Sequence, residues 1–304
     1  MSVPALPSEL KTLQPRTPVL IAGPTGCGKS ALAMRIAQEH GGVVINADSI
    51  QVYGTFRHLT ARPSPQNEAL VPHKLYGHIS HTHPYSVGQW LREITPWFES
   101  SERPIVVGGT GLYFRALTQG LAEIPAIKPT VVAQSEQLLA EAGHRALADQ
   151  LDAATQARID LNNPMRVQRA WQVLQSTGRS LAAWQDETPP AIVGLANAVP
   201  IVFDVGRDWL NARIKRRFDQ MLTDGALQEV QDLLPHWSAN LPCAKAIGAP
   251  QLTAYLRDEI SLDTAKYLGT IATQQFAKRQ RTWFRSKMAD WHQYSPDAAI
   301  LPGD

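Results

Sequence analysis

The segment Gly23-Pro24-Thr25-Gly26-Cys27-Gly28-Lys29-Ser30 matches the pattern G-x-x-x-x-G-K-[ST]. It lies between an apolar run, Val19-Leu20-Ile21-Ala22, and an amphipathic stretch, Ser30 to His40, closed by Gly41-Gly42. In such a loop the glycines let backbone N–H groups surround phosphate oxygens, Lys29 offsets their charge, and the Ser30 hydroxyl can ligate Mg²⁺. A strand before the loop and a helix after it aim the positive end of the helix at the anion. The expected fold is therefore α/β, a P-loop-containing parallel sheet with flanking helices. The expected ligand carries a di- or triphosphate, held by Gly23, Pro24, Thr25, Gly26, Cys27, Gly28, Lys29 and Ser30.

Two further apolar runs support the sheet. Val43-Val44-Ile45 ends at Asn46-Ala47-Asp48-Ser49, and Ile105-Val106-Val107 ends at Gly108-Gly109-Thr110-Gly111. Strand ends followed by such residues are where α/β sheets place ligands. From Gln119 to Val199 the pattern changes to helical stretches rich in Ala, Gln and Leu (131–142, 144–151 and 164–177). Residues 119–199 are expected to form an inserted all-helical domain. Ile201 to Val205 restores a strand, and helices are expected over 208–234 and 262–287. Residues 18–118 and 200–292 then form one core, preceded by a frayed Pro-rich arm over 1–17.

At 304 residues, 44% hydrophobic and 18% charged, the chain suits a folded enzyme rather than a disordered one. Its net charge of +2 makes no global case for nucleic acid, so any such case rests on local clusters. A disulfide from Cys27 would obstruct the phosphate loop, and neither an apolar leader nor a membrane-length apolar run is present, so a reduced, cytoplasmic setting with no membrane contact is expected. A monomer is expected.

A P-loop alone does not choose among ATPases, GTPases, kinases and other transferases. No base-reading N-K-x-D is found, which argues against a GTPase, whereas a kinase stays open because the helical insertion can act as a lid. A non-catalytic RNA-binding protein with a relic P-loop is a further alternative. Asp48 can be a general base or an outer-sphere Mg²⁺ partner, but local sequence equally allows it to cap the next helix.

Taken together, the P-loop, Asn46-Ala47-Asp48-Ser49-x-Gln51-Val52-Tyr53, Val71-Pro72-His73, Val107 to Tyr113 and Phe276 to Arg285 resemble the tRNA dimethylallyltransferases, also called tRNA isopentenyltransferases. The resemblance implies transfer of a dimethylallyl group from dimethylallyl diphosphate to N6 of adenosine 37, beside the anticodon. It implies that the P-loop and Arg217 hold the diphosphate, with Mg²⁺ on Ser30, and that Asp48 and Thr110 serve catalysis. It also implies that the anticodon stem-loop is met by Asp48, Ser49, Ile50, Gln51 and Thr110, and by Pro164, Met165, Arg166, Val167 and Gln168. Lys245 and Gly248 belong to the same set, as do Lys278, Arg279, Gln280, Arg281, Thr282, Trp283, Phe284 and Arg285. An adenine inside that loop must be splayed out of its stack to react. The stretch 278–287 holds five basic residues, two aromatics and no acid. Helical spacing puts Lys278, Arg281 and Arg285 on one face, where they can follow phosphates.

Several positions depart from the family's usual motif, and they are expected to concentrate on RNA-facing surface. Arg57-His58-Leu59-Thr60-Ala61-Arg62-Pro63 stands where Asp-Ile-Gly-Thr-Ala-Lys-Pro is usual. Asn163 replaces an Asp, Gln172 a Glu, Ala249 an aromatic, Gln274 an Arg, and Val132 an Arg. Weaker RNA binding or an altered set of tRNAs is the expected consequence.

Overall fold

A computed structural model describes residue 10 and residues 13–296. Among these, the chain divides into two compact units, one formed by the described residues up to 118 together with those from 192 onward, and the other by 119–191.

The larger unit is built on six parallel strands: β1 (Val19–Ala22), β2 (Val43–Asn46), β3 (His73–Lys74), β4 (Pro104–Gly108), β5 (Val199–Phe203) and β6 (His292–Tyr294). They lie in the order β3-β2-β4-β1-β5-β6. β1, β2 and β4 are buried at every position, as expected of parallel strands covered on both faces. The helices of this unit are α1 (Lys29–His40), α2 (Pro65–Leu70), α3 (Val87–Glu99) and α4 (Gly111–Gln119). After the second unit come α9 (Arg207–Thr223), α10 (Ala226–Leu233), α11 (Ala249–Leu256) and α12 (Leu262–Lys287). α3 is started by a reciprocal capping box between Ser86 and Gln89, which satisfies two otherwise orphaned N–H groups. Its Trp90 is fully buried, stacks on Tyr113 with centroids 4.4 Å apart, and donates its indole N–H to the Asn46 carbonyl at 2.7 Å. A helix is thereby tied to the end of β2, where the site begins.

The second unit contains α5 (Pro129–Ala148), α6 (Ala153–Arg158), α7 (Pro164–Thr177) and α8 (Leu181–Asp186). It has its own apolar core of Val131, Leu147, Ala148, Leu151, Val167, Ala170 and Trp171. α5 bends at Gly143, whose φ of 73° is not helical, at the place where the sequence pattern changes from one helical stretch to the next.

Three expectations are corrected. The frayed arm over 1–17 lies largely outside the described residues, but Leu10 is buried in the core and Arg103 binds the carbonyls of Gln14 and Thr17 at 2.8 and 3.1 Å. Within the helical stretch expected over 208–234 the chain breaks after Thr223, because Gly225 adopts a left-handed φ of 115°, the common C-terminal stop. The strand expected over 201–205 begins two residues earlier, at Val199. Among the described residues, no helix is long and apolar enough to cross a membrane.

Candidate active site at the carboxyl edge of the sheet

The loops after β1, β2 and β4 open on one edge of the sheet. There a cavity of about 590 Å³ is lined by Thr25, Gly26, Gly28, Lys29, Ser30, Asp48, Ser49, Gln51 and Arg217, among others. Gly28 has a φ of 101° at the start of α1, which is the left-handed turn that lets the loop wrap an anion before the helix begins. The Lys29 ammonium rests 3.3 Å from the Pro24 carbonyl.

Two arginines one turn apart on α9 reach this loop. Arg213 donates to the Gly26 carbonyl at 3.0 Å while its guanidinium lies 4.7 Å from the centroid of the Trp209 ring. Arg217 donates to the Thr25 hydroxyl at 3.2 Å. Burial pulls the Arg217 guanidinium below its ordinary pKa, and the nearby carboxylate of Asp48 works against that shift. An arginine remains charged under any such shift, so a cation is held ready beside the phosphate loop. Lys215 and Arg216, between the two, are exposed.

Asp48 both caps and faces the cavity. Its Oδ1 accepts the Ile50 N–H at 2.9 Å, and its own N–H donates to Asn46 Oδ1 at 2.8 Å. Asn46, fully buried, also donates from Nδ2 to the Asp48 carbonyl at 2.9 Å and the Leu75 carbonyl at 3.0 Å. One carboxylate oxygen is thus used in the turn, and Oδ2 lies on the Gly109 side, 3.5 Å from where a Cβ at that glycine would sit. Thr110 supports the same turn: its hydroxyl oxygen accepts the Ser49 N–H at 2.9 Å, and its N–H donates to the Ala47 carbonyl at 3.1 Å. Tyr76 lines the cavity too, and burial, with Asp48 nearby, pushes its phenol well above its ordinary pKa.

The paired glycines after β4 are explained by what presses on them. A side chain at Gly109 would come within 2.4 Å of Gln280 Nε2, and one at Gly111 within 2.1 Å of the Trp283 ring. α12 therefore packs directly on the β4 loop. From it the Gln280 carboxamide accepts the Thr25 N–H at 2.8 Å and donates to the Gly109 carbonyl at 2.8 Å.

The sequence profile described as IPP transferase matches residues 51–287, and that described as isopentenyl transferase matches residues 17–72. The chain belongs to the IPP transferase family. It is 56% identical to the tRNA dimethylallyltransferase of Dinoroseobacter shibae, over 96% of this chain and 99% of that one. It is 54% identical to the tRNA dimethylallyltransferase of Cereibacter sphaeroides (strain ATCC 17029), over 96% and 93%. Among solved structures, the full-length tRNA isopentenylpyrophosphate transferase of Bacillus halodurans superposes with a TM-score of 0.65 at 31% identity, over 92% of this chain and 90% of that one. A eukaryotic dimethylallyltransferase acting on tRNA superposes with a TM-score of 0.78 at 24% identity, over 92% and 73%, and shows the shared fold.

Within this family fold, the residues expected at the site from sequence separate into groups. Thr25, Gly26, Gly28, Lys29, Ser30, Asp48, Ser49, Ile50, Gln51, Arg217, Lys245 and Arg279 share the cavity. Cys27 is buried beneath the loop, and that burial raises its thiol pKa. Lys278, Arg279, Thr282 and Trp283 line a shallow hollow on the outer side of α12, with Lys287. In the second unit Pro164, Met165 and Arg166 are exposed at the start of α7.

Other residues expected to meet RNA have their side chains inside the fold or lie within the packed chain. Gln280 is buried and committed to Thr25 and Gly109, and Phe284 is 2% exposed within the core beside the sheet. Val167 is fully buried, and the Gln168 side chain is turned inward to Ser135 at 3.0 Å. Gly248, buried with a φ of 101°, begins α11. Of Lys278, Arg281 and Arg285, expected on one cationic face, Lys278 is exposed, Arg281 is half-buried, and Arg285 is exposed and pairs with Asp204 at 2.8 Å. The departures from the family motif lie in different surroundings. Gln172 binds Ser135 at 2.8 Å, Ala249 is fully buried, and Leu59 lines the cavity. Asn46, Arg213 and Tyr76 were not singled out by sequence. Only the position of Asn46 at a strand end, two residues before Asp48, offered a signal.

Proposed function

We propose that this chain transfers a dimethylallyl group from dimethylallyl diphosphate to N6 of adenosine 37 in tRNA, releasing diphosphate and leaving N6-(dimethylallyl)adenosine. The observation that carries the reading is one cavity in which a P-loop, a half-buried arginine and a carboxylate with one oxygen unused by its turn converge. It stands on a chain 56% identical to a tRNA dimethylallyltransferase.

The backbone N–H groups of the P-loop, Lys29, Arg213 and Arg217 receive the diphosphate and stabilise the charge that grows as the allylic C–O bond breaks. The adenine amine is a weak nucleophile because its lone pair is delocalised into the ring. As its nitrogen bonds to the allylic carbon, Asp48 Oδ2 takes the proton it must lose. Asn46 and Thr110 keep that carboxylate in place from either side of its turn. Among the described residues no group of three His, Cys, Asp or Glu side chains could cage a metal. Mg²⁺ is commonly bound by one or two protein oxygens together with substrate phosphates, and the Ser30 hydroxyl on the cavity fits that donor set. Ser30 would hold Mg²⁺, whose charge would further offset the departing diphosphate. Arg279, Lys278, Lys245 and the exposed start of α7 are proposed to meet the RNA.

The test is incubation with unmodified tRNA, Mg²⁺ and either dimethylallyl diphosphate or ATP. Prenylated adenosine from the first mixture supports the proposal. Phosphoryl transfer from the second, with no prenyl transfer from the first, contradicts it.

A further inference from the structure

The cavity that holds the phosphate loop also has an apolar end, and a single helix carries both. On α9, Arg213 and Arg217 bind the loop, and Ile214 lies beneath it, 3.4 Å from where a Cβ at Gly26 would sit. Immediately beyond, Phe218 and Met221 line the cavity with Leu59, Ala246 and Ile247. Positions 213, 214, 217, 218 and 221 fall on one face of the helix. At a rise of about 1.5 Å per residue, Met221 lies about 6 Å beyond Arg217 along the axis, a span comparable with the four-carbon backbone of a dimethylallyl group.

The apolar end cannot easily recede. Phe218 is 4% exposed, and a Cβ at Gly269 of α12 would sit 2.4 Å from its Cζ. At Gly248, before α11, a Cβ would sit 2.7 Å from Leu59 Cδ1 and 3.3 Å from Phe218 Cε2. Both side chains therefore have main chain directly behind them instead of a side chain that could swing aside, and close-packed interiors resist such displacement.

We propose that Phe218, with Leu59 and Met221, forms a wall that sets the length of the donor's prenyl tail, admitting a five-carbon allylic diphosphate and excluding a ten-carbon one. The inference rests on the transferase reading of the site. A hydrophobic pocket discriminates by about 10- to 200-fold per methylene. The wild-type protein should therefore use geranyl diphosphate at least about 100-fold less efficiently than dimethylallyl diphosphate.

The experiment compares kcat/KM for the two donors, with unmodified tRNA as acceptor, in the wild type and in Phe218→Ala, Leu59→Ala and Met221→Ala. Met221, only partly buried, is the change least disruptive to folding. For a variant that no longer turns over, calorimetric affinities for the two diphosphates give the corresponding ratio for binding alone. The expected result is a ten-carbon to five-carbon ratio raised about tenfold or more in the variants. A wild type that uses both donors equally overturns the proposal. So does an unchanged ratio in the variants accompanied by a raised KM for tRNA, which would place the adenine at this wall. A wild type that transfers neither donor overturns the transferase reading itself, and is distinguishable for that reason.

Discussion

Gln280 accepts the backbone N–H of Thr25 at 2.8 Å, so the last long helix of the chain grips the phosphate loop that follows the first strand. The same carboxamide donates to Gly109, which joins the two loops flanking Asp48. Removing a buried polar partner costs about 1–3 kcal/mol. Gln280→Ala is expected to lose about that much stability and to raise KM for the diphosphate donor about tenfold. Thermal unfolding and donor kinetics check this, and wild-type values in both would show that the link is idle.

Asp48 divides its carboxylate between structure and chemistry. Asp48→Asn retains an oxygen for the Ile50 N–H but cannot accept a proton, whereas Asp48→Ala retains neither. Both are expected to reduce kcat by about 10²–10⁴-fold, while only the alanine variant loses about 1 kcal/mol of stability. Paired activity and unfolding measurements separate the two roles, and an asparagine variant near wild-type activity would remove Asp48 as the base.

Arg285 and Asp204 pair at 2.8 Å with both side chains substantially exposed, so RNA reaching Arg285 would have to displace Asp204. Exposed pairs contribute at most about 1 kcal/mol, so Asp204→Asn should scarcely change stability. It should strengthen tRNA binding, with Lys278→Ala doing the opposite and lowering the slope of log K against log salt by about one. Salt titrations of tRNA binding check both. Phe284→Ala, by contrast, should cost about 3–5 kcal/mol of stability, as expected for a core aromatic.

The second unit should show an acid-side loss of stability. Hydrogen bonds from Thr155 hold the Asp152 carboxyl below its ordinary pKa at the start of α6. A depressed folded-state value stabilises above the unfolded value, about 3.9, and that stabilisation fades as pH falls through the lower folded one. Asp152→Ala should therefore melt earlier than wild type at neutral pH, with the difference closing under strongly acidic conditions. A difference independent of pH would contradict this cause.

The residues whose roles depend on local spacing were legible in the sequence. The P-loop, the strands that feed it, and the spans of α7 and α12 follow from apolar periodicity and from Gly, Pro and Ser at the element ends. What was not legible is which way the faces of α12 turn. Its basic and aromatic residues occur all around the helix, so spacing alone could not show that Gln280 and Phe284 point into the fold while Lys278 and Thr282 point out. Arg213 was obscured in the same way. The run 213–217 contains four cations, and only the position of α9 against the P-loop separates Arg213 and Arg217 from their exposed neighbours. Asn46 works through hydrogen bonds to a main-chain turn, which leave no pattern in the sequence beyond an Asx residue at a strand end.

Prenyl transfer is directed to the exocyclic amine of one adenosine in the proposed reaction. The most direct measurement compares two tRNA transcripts, one with adenosine at position 37 and one with guanosine there, each incubated with the protein, Mg²⁺ and dimethylallyl diphosphate and then digested to nucleosides. N6-(dimethylallyl)adenosine in the first and none in the second is the predicted result. Its absence from both, or its presence in both, would contradict transfer to adenosine 37.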